Sequence, residues 1–191
     1  MNTAVIERPE TTGKFQLRKS RYAKIVIRQA DEADVEAMAQ IYNHYVLTST
    51  VNIDASPESP DQRSVWLREQ NEQGLPVFVM VASEKDSGWE KVIGFASLAP
   101  YSTRVGRKTV EASMYFSGDR FGSDFGPQLI THLINVAKVR GYRSMVFITC
   151  TENLPGIKLA KEYGFDIAGR LQEVGCKFGR WLDICIMQKI L

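Results

Sequence analysis

Two nearly continuous apolar runs, residues 77–82 and 92–98, constrain the fold of this chain more than any other feature. Residues 85–88, with the sequence Lys-Asp-Ser-Gly, lie between them and have the composition of a turn. The pattern therefore predicts an antiparallel β-hairpin. The β-branched residues 25–27 predict a further strand upstream of it.

Helical and strand-like segments alternate along the rest of the chain. Helices are predicted from the acidic residues 31–34 to Val46, from the Pro- and Ser-containing stretch 56–61 to Gly74, after the glycine-spaced stretch 118–126, and from about Pro155 to Tyr163. Strands are predicted near 110–116, 145–150, 165–174 and 181–190. These elements predict a single α/β domain, without a repeat or a second domain.

The composition excludes several classes of protein. The 191 residues are 44% hydrophobic and 24% charged, as in soluble globular domains, and no apolar run approaches 18 residues. The amino terminus lacks the apolar segment of a secretory signal, so we expect a cytoplasmic protein without a membrane or DNA partner. Three cysteines without CxxC spacing and two histidines argue against a disulfide framework and a metal site.

Positive charge is concentrated at the amino terminus. Residues 1–30 contain seven Lys or Arg and two Glu, a net charge of +5, whereas the remainder of the chain has a net charge of −3. We expect residues 1–23 to be a basic, flexible extension and residues 24–191 to form the domain. The extension is interpreted either as a solvated tail or as a docking segment for RNA or another polyanion.

Three places could carry chemistry. Glu111 lies within a strand-like run, where a carboxylate is either exposed to solvent or buried, and burial would raise its pKa towards that of a general base. Residues 121–126 are glycine-containing and precede a helix, which suits either anion binding or a plain turn. Residues 173–183 could form a pocket wall or a well-packed turn.

At these positions the chain resembles the phosphinothricin acetyltransferase-like branch of the GNAT N-acyltransferase superfamily. The resemblance spans residues 25–191 in order. It is carried by these segments: Ile27-Arg28-Gln29-Ala30, Ile41-Tyr42-Asn43-His44, Thr109-Val110-Glu111, Gly164-Phe165, Gly169-Arg170-Leu171, Lys177 to Asp183 and Met187-Gln188.

The resemblance implies a fold and an activity. The implied fold is the α/β (α+β) GNAT fold, a mixed and mostly antiparallel twisted sheet flanked by helices, in which the fourth and fifth strands splay apart around the acyl donor. The implied activity is transfer of an acetyl group from acetyl-CoA, or another acyl group from its CoA ester, to the primary amine of a small amino-acid-like acceptor. Many members of this branch are homodimers.

Site residues follow from the same resemblance. Glu111 matches the general base. The resemblance places the donor on the strand Met114, Tyr115 and Phe116, whose N–H groups would stabilise the oxyanion, on the loop Phe121, Gly122, Ser123, Asp124, Phe125 and Gly126, and on Asn153. The acceptor pocket would be lined by Tyr42 and Asn43 at a helix end, by Arg104 and Arg107 as carboxylate binders, and by Lys177 and Trp181.

The sequence also departs from the pattern of this branch. The diphosphate loop normally reads Arg/Gln-x-x-Gly-x-Gly/Ala, but Phe121 and Asp124 occupy two of its three signature positions. The usual serine falls at Gly156, and no general acid for the thiol is evident, which leaves Tyr163 as a candidate. These departures keep two alternatives open: a donor carried by aminoacyl-tRNA or an acyl-carrier protein, and a non-catalytic GNAT-like binding domain.

Overall fold

The protein is described from a computed structural model, which covers residues 22–84, 89–102, 108–118 and 125–191. In these ranges the strands are β1 (Tyr22–Gln29), β2 (Val77–Glu84), β3 (Glu90–Pro100), β4 (Thr109–Phe116), β5 (Ser144–Cys150), β6 (Asp166–Lys177) and β7 (Arg180–Ile190). The helices are α1 (Val35–Thr48), α2 (Pro60–Glu72), α3 (Phe125–Val139) and α4 (Leu154–Glu162), and a short 3₁₀ turn (Glu32–Asp34) precedes α1. The predicted extension, apart from its last two residues, lies outside the described residues.

One sheet contains all these strands, in the order β1-β2-β3-β4-β5-β7-β6. Neighbouring strands are antiparallel except β4 and β5, which run parallel. The predicted hairpin of residues 77–82 and 92–98 is confirmed as β2 and β3, with Val79 opposite Phe95.

The parallel pair β4–β5 separates after three residue pairs. Thr109, Val110 and Glu111 lie opposite residues 144–146, and the pairing ends there. Beyond this point β4 stays paired with β3 as far as Phe116, and β5 stays paired with β7 as far as Cys150. The expected splaying of the central strands is therefore confirmed, and it leaves a wedge between them.

Polar side chains fix where the helices begin. Ser59 accepts a hydrogen bond from the backbone N–H of Gln62, whose side chain accepts one from the N–H of Ser59, and Pro60 occupies the first turn of α2. This reciprocal cap satisfies N–H groups that the helix itself leaves unpaired. Asn153 caps α4 through a single hydrogen bond, which it accepts from the N–H of Gly156 at 3.1 Å.

The helices cover both faces of the sheet. Leu129 and Leu133 of α3 and Ala160 of α4 pack with Val110 and Phe116 of β4 in one apolar core. A second core joins α1 and α2 to the opposite face; it contains Met38, Tyr42, Tyr45, Leu67, Val79 and Phe95. Successive residues of β4 therefore face different helices, because side chains alternate across a strand. No described helix has the length and apolar character needed to span a membrane.

Gly94 of β3 allows the open end of β4 to lie close. A Cβ at Gly94 would lie 2.9 Å from both the Phe116 ring and the Tyr115 carbonyl oxygen, whereas a Cβ at Gly169 would meet nothing within 4 Å. We expect Gly94→Ala to lower the free energy of unfolding by about 1–3 kcal/mol through overpacking. Gly169→Ala should change it by less than about 0.5 kcal/mol. Urea denaturation of both variants measures the difference, and equal stability would contradict the close approach.

Candidate active site

A cavity of about 190 Å³ lies in the wedge between β4 and β5. β4 lines it with Glu111, Ser113, Met114 and Tyr115, and β5 lines it with residues 147–150. Residues 51–54 of the loop between α1 and α2, together with the start of α4, complete the wall. The cavity therefore depends on the separation of the two central strands.

Beyond Glu111, the edge of β4 that faces the wedge has no partner strand among the described residues. The N–H of Ser117 donates to the carbonyl of Ile93 on β3 at 2.9 Å. Because residues in an antiparallel ladder alternate between the two edges, Ala112, Met114 and Phe116 direct their main-chain groups towards the wedge. The Phe116 carbonyl accepts a hydrogen bond from the Tyr45 hydroxyl at 2.9 Å, in agreement with this orientation. Such N–H groups can stabilise negative charge on a bound oxygen.

Glu111 lies at the point where the strands part. It is the last residue of β4 that pairs with β5, its side chain is half-buried, and it lines the cavity. Among the described residues, no hydrogen bond or ion pair to its carboxylate is found. Burial raises the pKa of the Glu111 carboxyl above its ordinary value, which brings the group closer to the range of a base that works near neutral pH. The side chain thus faces the cavity rather than bulk water.

Tyr115 forms an aromatic wall on the α1 side of the cavity. Its ring stacks on Phe95 with centroids 5.2 Å apart, and it meets the edges of Tyr42 and Tyr45 at 5.3 and 5.5 Å. Burial raises the pKa of the Tyr115 hydroxyl to about 12, so the group remains protonated at neutral pH. Phe116, the next residue, is buried in the opposite core.

Lys177 supports the loop between α1 and α2 through hydrogen bonds. Its side chain is 4% exposed, and its ammonium donates to the Tyr45 carbonyl at 3.2 Å and to the carbonyl and side-chain oxygens of Asn52 at 3.2 and 3.1 Å. Burial lowers the pKa of Lys177. The sequence predicts that Lys177 lines the acceptor pocket, but in the structure its ammonium faces this loop and not the cavity.

The other residues predicted on the acceptor side also lie outside the cavity lining. Tyr42 and Asn43 lie in the middle of α1 rather than at its end. The Asn43 amide donates to the Glu58 carbonyl and accepts from the Glu58 N–H, and the Tyr42 hydroxyl donates to Asp54. Trp181 is 65% exposed on β7. Arg104 and Arg107 lie outside the described residues.

Asn153 lies at the α4 end of the cavity. Its side chain lines the cavity, donates to Thr149 at 2.9 Å and caps α4 at Gly156. A Cβ at Gly156 would lie 2.4 Å from the Asn153 amide nitrogen, so the departure from serine at this position gives room to the cap. Tyr163, at the other end of α4, lines a separate groove with His132.

The predicted diphosphate loop is only partly described. Phe121, Gly122, Ser123 and Asp124 lie outside the described residues, and α3 begins at Phe125. Gly126 is buried, with Leu159 of α4 2.8 Å from the position of a Cβ. Among the described residues, no three His, Cys, Asp or Glu side chains converge in a way that could hold a metal ion.

A comparison with protein families agrees with this architecture. The family described as the acetyltransferase (GNAT) domain matches residues 27–186, which is most of the chain. The chain belongs to the GNAT acetyltransferase family.

Relatives of this GNAT protein include acetyltransferases that are named for small molecules. It is 36% identical to an L-methionine sulfoximine/L-methionine sulfone acetyltransferase of Pseudomonas aeruginosa over 85% of this chain and 92% of the relative. It is 30% identical to a phosphinothricin N-acetyltransferase of Streptomyces viridochromogenes over 86% and 87%. A phosphinothricin acetyltransferase structure from Sinorhizobium meliloti in complex with acetyl-CoA shares 27% identity and a TM-score of 0.79, covering 87% and 88% of the two chains.

Sequence reasoning missed the residues of the loop that reach the cavity. Asn52 and Asp54 line it from a segment without helical or strand periodicity, so no pattern distinguished them from other polar loop residues. Thr149 was missed for a different reason, because it lies in a strand that reads as continuous core. Its hydroxyl donates to the Val51 carbonyl at 3.1 Å and thereby connects β5 to the loop.

Replacing Lys177 tests its supporting role. We expect Lys177→Met to lower the free energy of unfolding by about 1–3 kcal/mol, because the main-chain and side-chain oxygens of Asn52 would lose the donor that Lys177 provides. Lys158→Met, at a lysine 79% exposed on α4, should change it by less than about 0.5 kcal/mol. Thermal and urea unfolding of the two variants provide the measurement. A Lys177 variant as stable as the Lys158 control would show that these hydrogen bonds do not support the loop.

Proposed function

We propose that this protein transfers the acetyl group of acetyl-CoA to the primary amine of a small amino-acid-like acceptor. The observation that carries the proposal is the position of Glu111, a half-buried carboxylate at the point where β4 leaves β5. A base at this point is next to strand N–H groups that have no strand partner among the described residues. This combination suits attack of an amine on a thioester.

In the proposed mechanism the Glu111 carboxylate takes a proton from the acceptor ammonium, directly or through water. The neutral nitrogen then attacks the thioester carbonyl, and the carbon–nitrogen bond forms while negative charge develops on the carbonyl oxygen. N–H groups of β4, among them that of Met114, stabilise this oxyanion. Collapse of the intermediate breaks the carbon–sulfur bond, and the thiolate receives the second proton of the amine through water. Tyr163 does not act as the general acid in this mechanism, because it lines a different groove.

The donor is proposed to lie along the open edge of β4. The amide groups of an extended pantetheine arm have the hydrogen-bonding pattern of a short strand and can pair with main-chain groups that β5 leaves free. The relative from Sinorhizobium meliloti, whose structure holds acetyl-CoA, supports this donor. Because Asp124 occupies a signature position of the diphosphate loop, it is expected to weaken binding through repulsion between like charges.

The acceptor is proposed to enter from the side of α1, where Glu111, Ser113 and Tyr115 project. The named substrates of the relatives, phosphinothricin and methionine sulfoximine, support an amino-acid-like acceptor. Arg104 and Arg107 remain candidates for binding its carboxylate through their guanidinium groups.

We also propose a homodimer of a domain comprising residues 24–191. Large apolar side chains are exposed on β6 and β7, where β6 forms an edge of the sheet; they are Ile167, Leu171, Val174, Trp181 and Ile190. Such a surface favours association with a second copy. Light scattering should give twice the 21.6 kDa chain mass.

Glu111→Gln tests the base. We expect kcat/KM to fall by about 10²–10⁴-fold, the usual contribution of a general base. In the wild-type protein kcat/KM should rise with pH through an apparent pKa above the ordinary value for Glu, because only the ionised carboxylate accepts a proton, and this limb should disappear in Glu111→Gln. Unfolding should occur at an equal or higher temperature, since the amide removes a charge whose burial is unfavourable. Glu69→Gln, at an exposed position on α2, is the matched control. Unchanged turnover in Glu111→Gln would show that Glu111 is not the general base.

Calorimetric titration tests the donor. We expect acetyl-CoA and CoA to bind with micromolar dissociation constants, and Asp124→Gly to bind them more tightly because a negative charge is removed near the diphosphate. If neither compound binds either protein, the proposed donor is wrong and an acyl-carrier protein or aminoacyl-tRNA takes its place.

A further inference from the structure

Asp54 places a second carboxylate on the acceptor side of the cavity. It lies in the loop between α1 and α2 and lines the cavity together with Glu111 on β4. The two acids therefore reach the same space from different elements. They are the charged side chains among the described residues that line it.

The position of Asp54 is fixed by its neighbours. Its Oδ2 atom accepts a hydrogen bond from the Tyr42 hydroxyl. The Tyr42 ring is buried, with Tyr115 at its edge and the Arg63 guanidinium 4.3 Å from its centroid. Two residues before Asp54, Asn52 is held by Lys177. Asp54 thus lines the cavity while its Oδ2 atom is held by Tyr42.

The nearby positive charges are directed away from the cavity. Arg63 is 3% exposed, forms an ion pair with Glu58 at 2.7 Å, and packs against Tyr42 and Trp66. The Lys177 ammonium donates its hydrogen bonds to the three oxygen atoms described above. Within the described ranges, the Oδ1 atom of Asp54 has no hydrogen-bond donor. Arg63 and Lys177 attract Asp54 only at longer range, so an incoming cation meets a carboxylate oxygen that no described donor binds.

We propose that Asp54 makes this site select acceptors that carry a second positive charge, such as diamines or amino acids with a cationic side chain. The inference rests on the proposed function, in which Glu111 removes a proton from the reacting nitrogen. If Asp54 bound the reacting ammonium, it would stabilise the ground state more than the transition state, because that nitrogen loses its positive charge before it attacks. An ion pair to a different cationic group persists through the reaction, so Asp54 acts on the group that does not react.

Pairs of amines that differ by one charge test the proposal. The probes are 1,4-diaminobutane with 1-aminobutane, and L-lysine with L-norleucine, each with acetyl-CoA and followed by release of the free thiol. For wild-type protein we expect kcat/KM to be about tenfold higher for the dication of each pair, the effect of one hydrogen bond to a charged group. Asp54→Asn should reduce this ratio to near one, mainly by raising KM for the dication. Asp61→Asn, an exposed residue outside the cavity, should retain the wild-type ratio.

Three outcomes would overturn the role of Asp54: no preference in the wild type, a preference that survives in Asp54→Asn, or an equal loss for both members of a pair. If none of the four amines is acetylated, the proposed function fails separately. Calorimetric titration of 1,4-diaminobutane and 1-aminobutane then decides about Asp54. Tighter binding of the diamine that is lost in Asp54→Asn supports the proposal, and equal binding refutes it.

Discussion

Three residue pairs hold β4 against β5, and the site depends on the pairing ending there. Continued pairing would use the main-chain groups of both strands within the sheet, and no cavity would remain between them. The separation is held by contacts at the far end of each strand. The Tyr45 hydroxyl binds the carbonyl of Phe116 at the end of β4, and the Thr149 hydroxyl binds the Val51 carbonyl near the end of β5. The Tyr45 hydroxyl thus binds one main-chain group of β4 that β5 leaves, while Thr149 ties β5 to the loop through its side chain.

The loop between α1 and α2 has no regular structure, yet side chains from several elements determine its path. Asn43 of α1 binds both main-chain groups of Glu58, and Lys177 of β6 binds two oxygens of Asn52. These are hydrogen bonds in partly or fully buried surroundings, where an unpaired group would be costly. The loop is consequently part of the folded domain, and its residues can present chemical groups at fixed positions.

Much of the fold could be predicted from the sequence, because apolar periodicity and turn residues are local signals. The hairpin of β2 and β3, the acidic start before α1 and the glycine after α4 all follow from short segments. Glu111 was also found, since a carboxylate in a strand-like run is unusual, although its surroundings could not be deduced. Those surroundings depend on the separation of β4 from β5, which only the family resemblance suggested.

The remainder could not be predicted, because it depends on contacts between distant residues. Lys177 looks like a pocket residue in its own hairpin, and only the fold brings Asn52, which is 125 positions away in sequence, to its ammonium. The same holds for Asp54, which nothing in its own segment marks as facing the cavity. On α3, His132 is half-buried, because the fold brings the Phe78 ring of β2 to within 4.4 Å of its own, centroid to centroid.

Tyr45 takes part in both halves of the cleft. Its hydroxyl holds the last carbonyl of β4, beside the proposed donor edge, while its own carbonyl receives the ammonium of Lys177, which carries the acceptor loop. Tyr45 of α1 therefore holds both of the surfaces between which the acyl group would pass. A shift of α1 would therefore disturb both surfaces at once.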